Sequence, residues 1–166
     1  RLWSLDLSRT RLAEIGLGLG ADVPVFVAGD NAFAEGVGEV LTPLDLPPVW
    51  YVLLAPQIAV STREIFADAS LTRDTERTTI PAFFAGISRN DLEPVVREHY
   101  GDVDGYLRWL GQHGHAMMSG SGACVFSAFD TETDARAVLA LLPDTMAGFV
   151  ARGMDHHPLH DWLNPV

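Results

Sequence analysis

An aspartate interrupts an otherwise apolar run in the segment GADVPVF, where Asp22 stands between a Gly-Ala pair and Pro24. Burying an unpaired carboxylate is costly, so a carboxylate in a core segment is paired, hydrogen-bonded or functional. At the start of a short helix or turn, backbone donors would keep it ionised. The position also fits a plain N-cap aspartate with Pro24 in the first turn, and the two readings are compatible.

A second candidate is SGSGACVF, residues 119–126. Its small residues let the backbone approach a ligand closely, and N–H groups there can form an anion-binding nest. From the pattern alone, a tight hairpin whose glycines only supply positive φ ranks ahead of the nest. Ser121 is not in a G-x-S-x-G elbow, because Ser119 holds the first glycine position. Three further patterns carry less. GLGLG at residues 16–20 matches neither nucleotide-loop pattern and falls at the end of a predicted helix, where a phosphate loop would precede one. The histidines of HHPLH, His156, His157 and His160, are spoiled for helical metal ligation by Pro158 and read as a solvated tail. Cys124 is flanked by Ala123, Val125 and Phe126 and reads as a buried, inert thiol.

These residues need elements to hold them. Ser8 caps a predicted helix to about Gly18, with Leu12, Ile15 and Leu19 on one face. The Asp22 segment follows directly. NAFAEGVGEVLTPLDL reads as a hairpin turning at Gly36 and Gly38, and the prolines of LPP, Pro47 and Pro48, mark the domain boundary. WYVLLAP is a buried strand, and STRE at Ser61 to Glu64 is a capping box opening a helix to about Ala69. TRDTERT is a loop, followed by helices over IPAFFAG, DLEPVVREHY and VDGYLRWLGQ, the last with Val103, Tyr106, Leu107 and Leu110 on one face. AMMSGSGACVFSAF gives strand, glycine turn, strand; TETDARAVLALL is a helix capped by Thr131, and AGFVARGM a final strand. The order of elements implies an α+β fold, an antiparallel sheet with helices on one face.

Composition narrows the classes of function. The 166 residues are 48% hydrophobic and carry a formal charge of −11, and all 11 basic residues are Arg. A sequence-independent nucleic-acid binder needs a basic footprint, which this chain lacks. A small phosphorylated ligand stays open, because glycine-rich backbone and Mg²⁺ hold phosphate without basic side chains. No apolar stretch is long enough for a membrane-spanning helix. A single cysteine excludes an internal disulfide and fits a reducing, cytoplasmic setting. The start, RLWSLDLSRT, shows neither Met nor a signal-like segment, and the expectation is that the chain begins mid-protein.

Taken together, LGLGADVPVFVAGDNAFAEGVGEVLTPL, VSTREIF and SGSGACVF resemble, in order and spacing, the later part of a GHMP superfamily kinase. The resemblance runs from about Leu12 to PLH near the end. GADVPVF followed by AFAEGVGE is specific to the branch that phosphorylates a cytidylylated methylerythritol in non-mevalonate isoprenoid synthesis; the Gly-Ser-Gly motif is shared more widely in the superfamily. The resemblance implies ATP and Mg²⁺ as cofactors and makes Asp22 the catalytic carboxylate, which with an N-terminal lysine activates the 2-hydroxyl of that substrate. It puts Gly120, Ser121 and Gly122 near the nucleotide phosphates. Thr62 and Phe66 match positions lining the methylerythritol-cytidine pocket.

One departure is large: the glycine-rich ATP loop of the type P-x-x-x-G-L-G-[GS]-[GS]-S, the partner lysine and the cytidine-stacking aromatic are absent from this sequence. The expectation is therefore residues 1–48 as the end of the ATP-binding lobe, carrying Asp22, and residues 49–166 as the C-terminal GHMP kinase domain. The missing lobe of the same enzyme is the expected partner, and the chain alone is expected to phosphorylate nothing. Two alternatives stay open: another GHMP small-molecule kinase, and a stand-alone α+β ligand-binding or regulatory module in which Asp22 is only a cap.

Overall fold

The computed structural model describes residues 5–158. Its contacts divide the chain into two compact units, one built from the described residues up to Pro48 together with the segment from Met154, the other from Val49–Gly153.

In the first unit, helix α1 spans Arg9–Leu17, and the Ser8 side chain caps it by accepting from the Arg11 N–H. Helix α2 is Val23–Ala28, with a proline in its first turn and Gly29 closing it in the left-handed region at φ 85°. The two helices pack closely at Gly16, where an added Cβ would come within 2.5 Å of Val23 Cγ1. Strands β1 (Ala32–Glu35) and β2 (Val40–Pro43) form the expected hairpin, antiparallel with Glu35 opposite Val40. The Glu39 carboxylate closes the turn by accepting from the Val37 N–H at 2.6 Å. A late segment joins this unit: the Asn31 amide donates to the Met154 carbonyl at 3.2 Å, the His157 N–H donates to the Gly29 carbonyl at 2.6 Å, and Asp30 bridges His156.

Leu12, Ile15 and Leu19, spaced as one helix face, are 41%, 46% and 81% exposed, and Leu19 lies past the end of α1. The close fit of α1 on α2 runs through Gly16, and Gly16 is the helix's only buried residue. The histidines were expected to trail in solvent, but the His157 ring meets Phe26 edge-on at 6.2 Å and His156 pairs with Asp30. His160 lies outside the described residues.

The second unit is a four-stranded antiparallel sheet with helices packed on it, which makes the chain α+β as read. Strand β3 is Trp50–Leu54, followed by α3 (Thr62–Ala67), α4 (Ile80–Phe84), α5 (Glu93–His99) and α6 (Gly101–Leu110). Then come β4 (Met117–Met118), β5 (Val125–Phe129), α7 (Glu132–Leu139) and β6 (Gly148–Arg152). The sheet order is β4-β5-β3-β6. The register pairs Val52 with Ser127 and with Val150, and Leu54 with Val125. Strand side chains alternate between faces. Val52, Leu54, Val125 and Ser127 are accordingly all buried, while Tyr51 and Phe126 are only half-buried and touch edge-on at 6.0 Å.

Helix α6 presents Val103, Tyr106, Leu107 and Leu110 to the core, the four positions its spacing predicts. Val95, Val96 and Ile65 join them from α5 and α3, and Ala135 from α7. Each fully buried aliphatic side chain here contributes roughly 1.5–3 kcal/mol. The Ser61 cap forms, accepting from the Glu64 N–H at 3.4 Å, but the Ser61 N–H donates to the Tyr100 hydroxyl, 3.3 Å away. Thr131 caps α7, accepting from the Asp134 N–H at 3.1 Å.

Candidate active site

Asp22 occupies the N-cap position of α2, in helical conformation at φ −84° and ψ −12°, and its carboxylate makes no capping bond. It is exposed, so the cost of burial that its apolar neighbours suggested does not arise. The backbone just before it is fixed from another side. Gly38, in the β1–β2 turn at φ 98°, lies so close to the Ala21 carbonyl oxygen that a Cβ there would overlap it. The quoted motifs GADVPVF and AEGVGE thus meet, and only glycine fits at position 38 on both conformational and steric grounds.

In the second unit, residues 119–124 form a tight loop between β4 and β5. The Ser119 N–H donates to the Cys124 carbonyl at 2.9 Å and the Gly122 N–H to the Ser119 carbonyl at 3.0 Å. Gly120 and Gly122 have φ of 55° and 95°. They face different surroundings: a Cβ on Gly122 would press on Met118 Sδ at 3.2 Å and Val60 Cγ2 at 3.3 Å, whereas one on Gly120 would meet nothing within 4 Å. Gly122 is the packed foot of the loop, and Gly120 its open shoulder.

Ser121, between them, reaches α3. Its Oγ lies 2.8 Å from Thr62 Oγ1, a hydrogen bond in which either hydroxyl can donate. Thr62 is the first residue of α3, and Phe66, four residues on, shares its exposed face, while Ile65 points into the core. Three residues picked from two separate motifs, Ser121, Thr62 and Phe66, are therefore arranged along one loop and one helix face. Cys124 is exposed, contrary to expectation. It precedes β5, and the inward alternation begins with Val125 and Ser127.

Two residues that no motif singled out hold this loop. The Asn90 side-chain amide donates to the carbonyls of Met118 at 3.0 Å and Gly120 at 2.7 Å, while its Oδ1 accepts from the Leu92 N–H at 3.0 Å. Glu93 Oε2 accepts from the Met118 N–H at 3.2 Å. The sequence signal for them is local: an Asn, then a Glu three residues later, opening a helix. It announces α5 and says nothing of a reach to β4.

At the far end of α3, the Asp68 carboxyl is held below the usual carboxylate value of 3.8, first by hydrogen bonds from the Ser70 hydroxyl and amide, then by His99. His99 Nε2 lies 2.8 Å from Asp68 Oδ2. Among the described residues there is no cluster of three or more His, Cys, Asp or Glu side chains that could hold a metal ion, and no helix is long and apolar enough to cross a membrane.

Residues 72–148 match the family described as GHMP kinases C terminal. Over nearly its whole length it is similar to the C-terminal part of proteins named 4-diphosphocytidyl-2-C-methyl-D-erythritol kinase. It is 58% identical over 98% of its length to the protein of that name from Thiobacillus denitrificans, covering 59% of that protein. Identity to the one from Nitrosospira multiformis is 52%, over 98% of this chain and 56% of the relative, and to the one from Marinobacter nauticus 52%, over 100% and 59%. The chain thus spans somewhat over half the length of the curated relatives it matches. Its fold is also similar to a crystal structure of 4-(cytidine 5'-diphospho)-2C-methyl-D-erythritol kinase, with a TM-score of 0.73 and 26% identity, covering 91% of this chain and 59% of that one.

Proposed function

We propose that this chain is the later part of a small-molecule kinase that, as a whole protein, phosphorylates the 2-hydroxyl of 4-diphosphocytidyl-2-C-methyl-D-erythritol in non-mevalonate isoprenoid precursor synthesis. The observation that carries the reading is the 58% identity, across 98% of this chain, to a relative bearing that kinase's name. In this reading residues 1–48 end the ATP-binding lobe and residues 49–166 form the C-terminal domain, although the segment from Met154 to Pro158 packs with the first unit. The rest of the same polypeptide is the partner, and the setting is the cytoplasm.

Asp22 is the catalytic carboxylate: it orients the attacking hydroxyl and accepts its proton. An exposed carboxylate that spends no oxygen on capping α2 is suited to that role. Gly120, Ser121 and Gly122 lie against the nucleotide phosphates, and the open space at Gly120 supports a close approach of phosphate to backbone. Thr62 and Phe66 line the methylerythritol-cytidine side, and the Thr62–Ser121 hydrogen bond ties that side to the phosphate loop. Bound ATP supplies the phosphoryl group, and Mg²⁺ offsets the charge on its phosphates. Mg²⁺ keeps much of its water and is bound largely through substrate phosphates, so a full protein cage is not required.

The test is Asp22→Asn in the whole protein. Loss of the proton acceptor lowers kcat by about 10²–10⁴-fold, and thermal stability stays unchanged, because the carboxylate is exposed and caps nothing. Full turnover in the Asn variant sinks the assignment of Asp22.

A further inference from the structure

We infer that Asn90, with Glu93 behind it, is the positioning residue that sets the shape of the 119–124 loop; its catalytic consequence rests on the nucleotide reading of that loop. The loop carries two glycines at positive φ, so its own residues do little to fix one conformation. The constraint comes from outside. A single side-chain amide spends both of its N–H bonds on carbonyls on either side of Ser119, those of Met118 at 3.0 Å and Gly120 at 2.7 Å. An amide has only two such donors, and both are used here. The Gly120 carbonyl is thereby turned toward Asn90, which fixes the peptide between Gly120 and Ser121 and with it the direction in which that N–H points.

The clamp is itself held. Asn90 Oδ1 accepts from the Leu92 N–H at 3.0 Å, so the amide cannot rotate without losing that bond. Glu93 accepts from the Met118 N–H with one oxygen and from Arg97 at 3.3 Å with the other. Arg97 in turn donates to Asp104 at 2.7 Å, and Arg108 reaches the same carboxylate at 2.6 Å. Besides the apolar packing at Gly122, the loop is thus tied through α5 to α6 by a continuous chain of polar and charged groups, and partly buried polar networks of this kind rigidify what they hold.

Two variants separate this role from simple capping of α5. Asn90→Ala removes all three side-chain bonds. Asn90→Asp keeps the acceptor for the Leu92 N–H and replaces the doubly donating Nδ2 by a single oxygen facing two carbonyls. If the donors set the loop, Asp is at least as damaging as Ala; if the helix start matters, Asp restores the wild-type behaviour.

The first readout is amide hydrogen exchange of the chain in the whole protein. Both variants should accelerate exchange at Ser119 and Gly122 by about tenfold or more and leave β5 and α7 protected as in the wild type. Unchanged exchange at the loop, wild-type behaviour of Asn90→Asp, or an equal loss of protection throughout the second unit overturns the inference. The second readout is kinetic: in the whole enzyme both variants raise the ATP KM more than that of the phosphoryl acceptor. A loosened loop with unaltered ATP kinetics leaves the clamp standing and overturns the nucleotide reading of the loop.

Discussion

Ser127 is fully buried in β5, and its hydroxyl has no hydrogen-bond partner among the described residues. An unmet buried hydroxyl costs stability that an apolar side chain of similar size would not. Ser127→Ala should therefore leave the protein as stable as before or raise its stability by up to about 1 kcal/mol, read as the urea midpoint. The same site has a second, coupled prediction. A Cβ on Gly114 would come within 2.6 Å of Ser127 Oγ, so Gly114→Ala should destabilise the wild type and do so less when Ser127 is already Ala. Additive effects in the double variant would show that the hydroxyl is not what Gly114 accommodates. Asp22 belongs to this scale too. Its residue type and neighbours drew notice from the sequence on an argument about burial, and it turned out to be exposed. Solvent access depends on which distant segments fold over a residue, and neither Asp22 nor Cys124 carries that information locally.

Where elements begin was legible, because caps and turns are decided within four or five residues. Ser8, Ser61 and Thr131 each accept from the N–H three residues on, and the hairpin turns in the GVG segment. What each element leans on was less legible. The Ser61 N–H goes to Tyr100, 39 residues away between α5 and α6, rather than to Glu64. Asn90 and Glu93 likewise act on a loop 25 to 30 residues downstream. The candidate site was half readable for the same reason: its glycines and hydroxyls lie in short motifs, while the groups that hold them do not. The junction of α3 and α5 carries a pH prediction. The Asp68 carboxyl is depressed below 3.8 by Ser70 and then His99. A depressed carboxyl contributes stability that is present above its unfolded pKa and lost as pH falls through the folded one. The difference in urea midpoint between the wild type and Asp68→Asn should accordingly be full near about pH 6 and shrink below about pH 4. A difference that grows on acidification contradicts this origin.

At the scale of the molecule, a net charge of −11 with no basic run fits a small-molecule enzyme better than a polyanion binder. The first unit also exposes much apolar surface: Leu5, Leu19, Phe26 and Val37 are each more than 60% accessible. Soluble monomers rarely leave large contiguous apolar patches bare, and the curated relatives are longer than this chain by roughly two-fifths of their length. Residues 1–166 expressed alone should then bind a hydrophobic dye more strongly, and sediment as larger species, than the whole protein does. Equal dye binding by the two would mean that these side chains stay in water in both. The order of strands in the sheet bears on how the chain comes to be folded. Strand β3, made first, lies in the middle of β4-β5-β3-β6, with neighbours ending at Phe129 and Arg152, and the first unit gains its bridge to Asp30 only at His156. As the polypeptide leaves the ribosome, the β6-facing edge of β3 thus waits nearly a hundred residues for its partner strand. Neither unit closes until residues 148–156 have emerged, and in that interval an unpaired apolar strand is what a chaperone would meet.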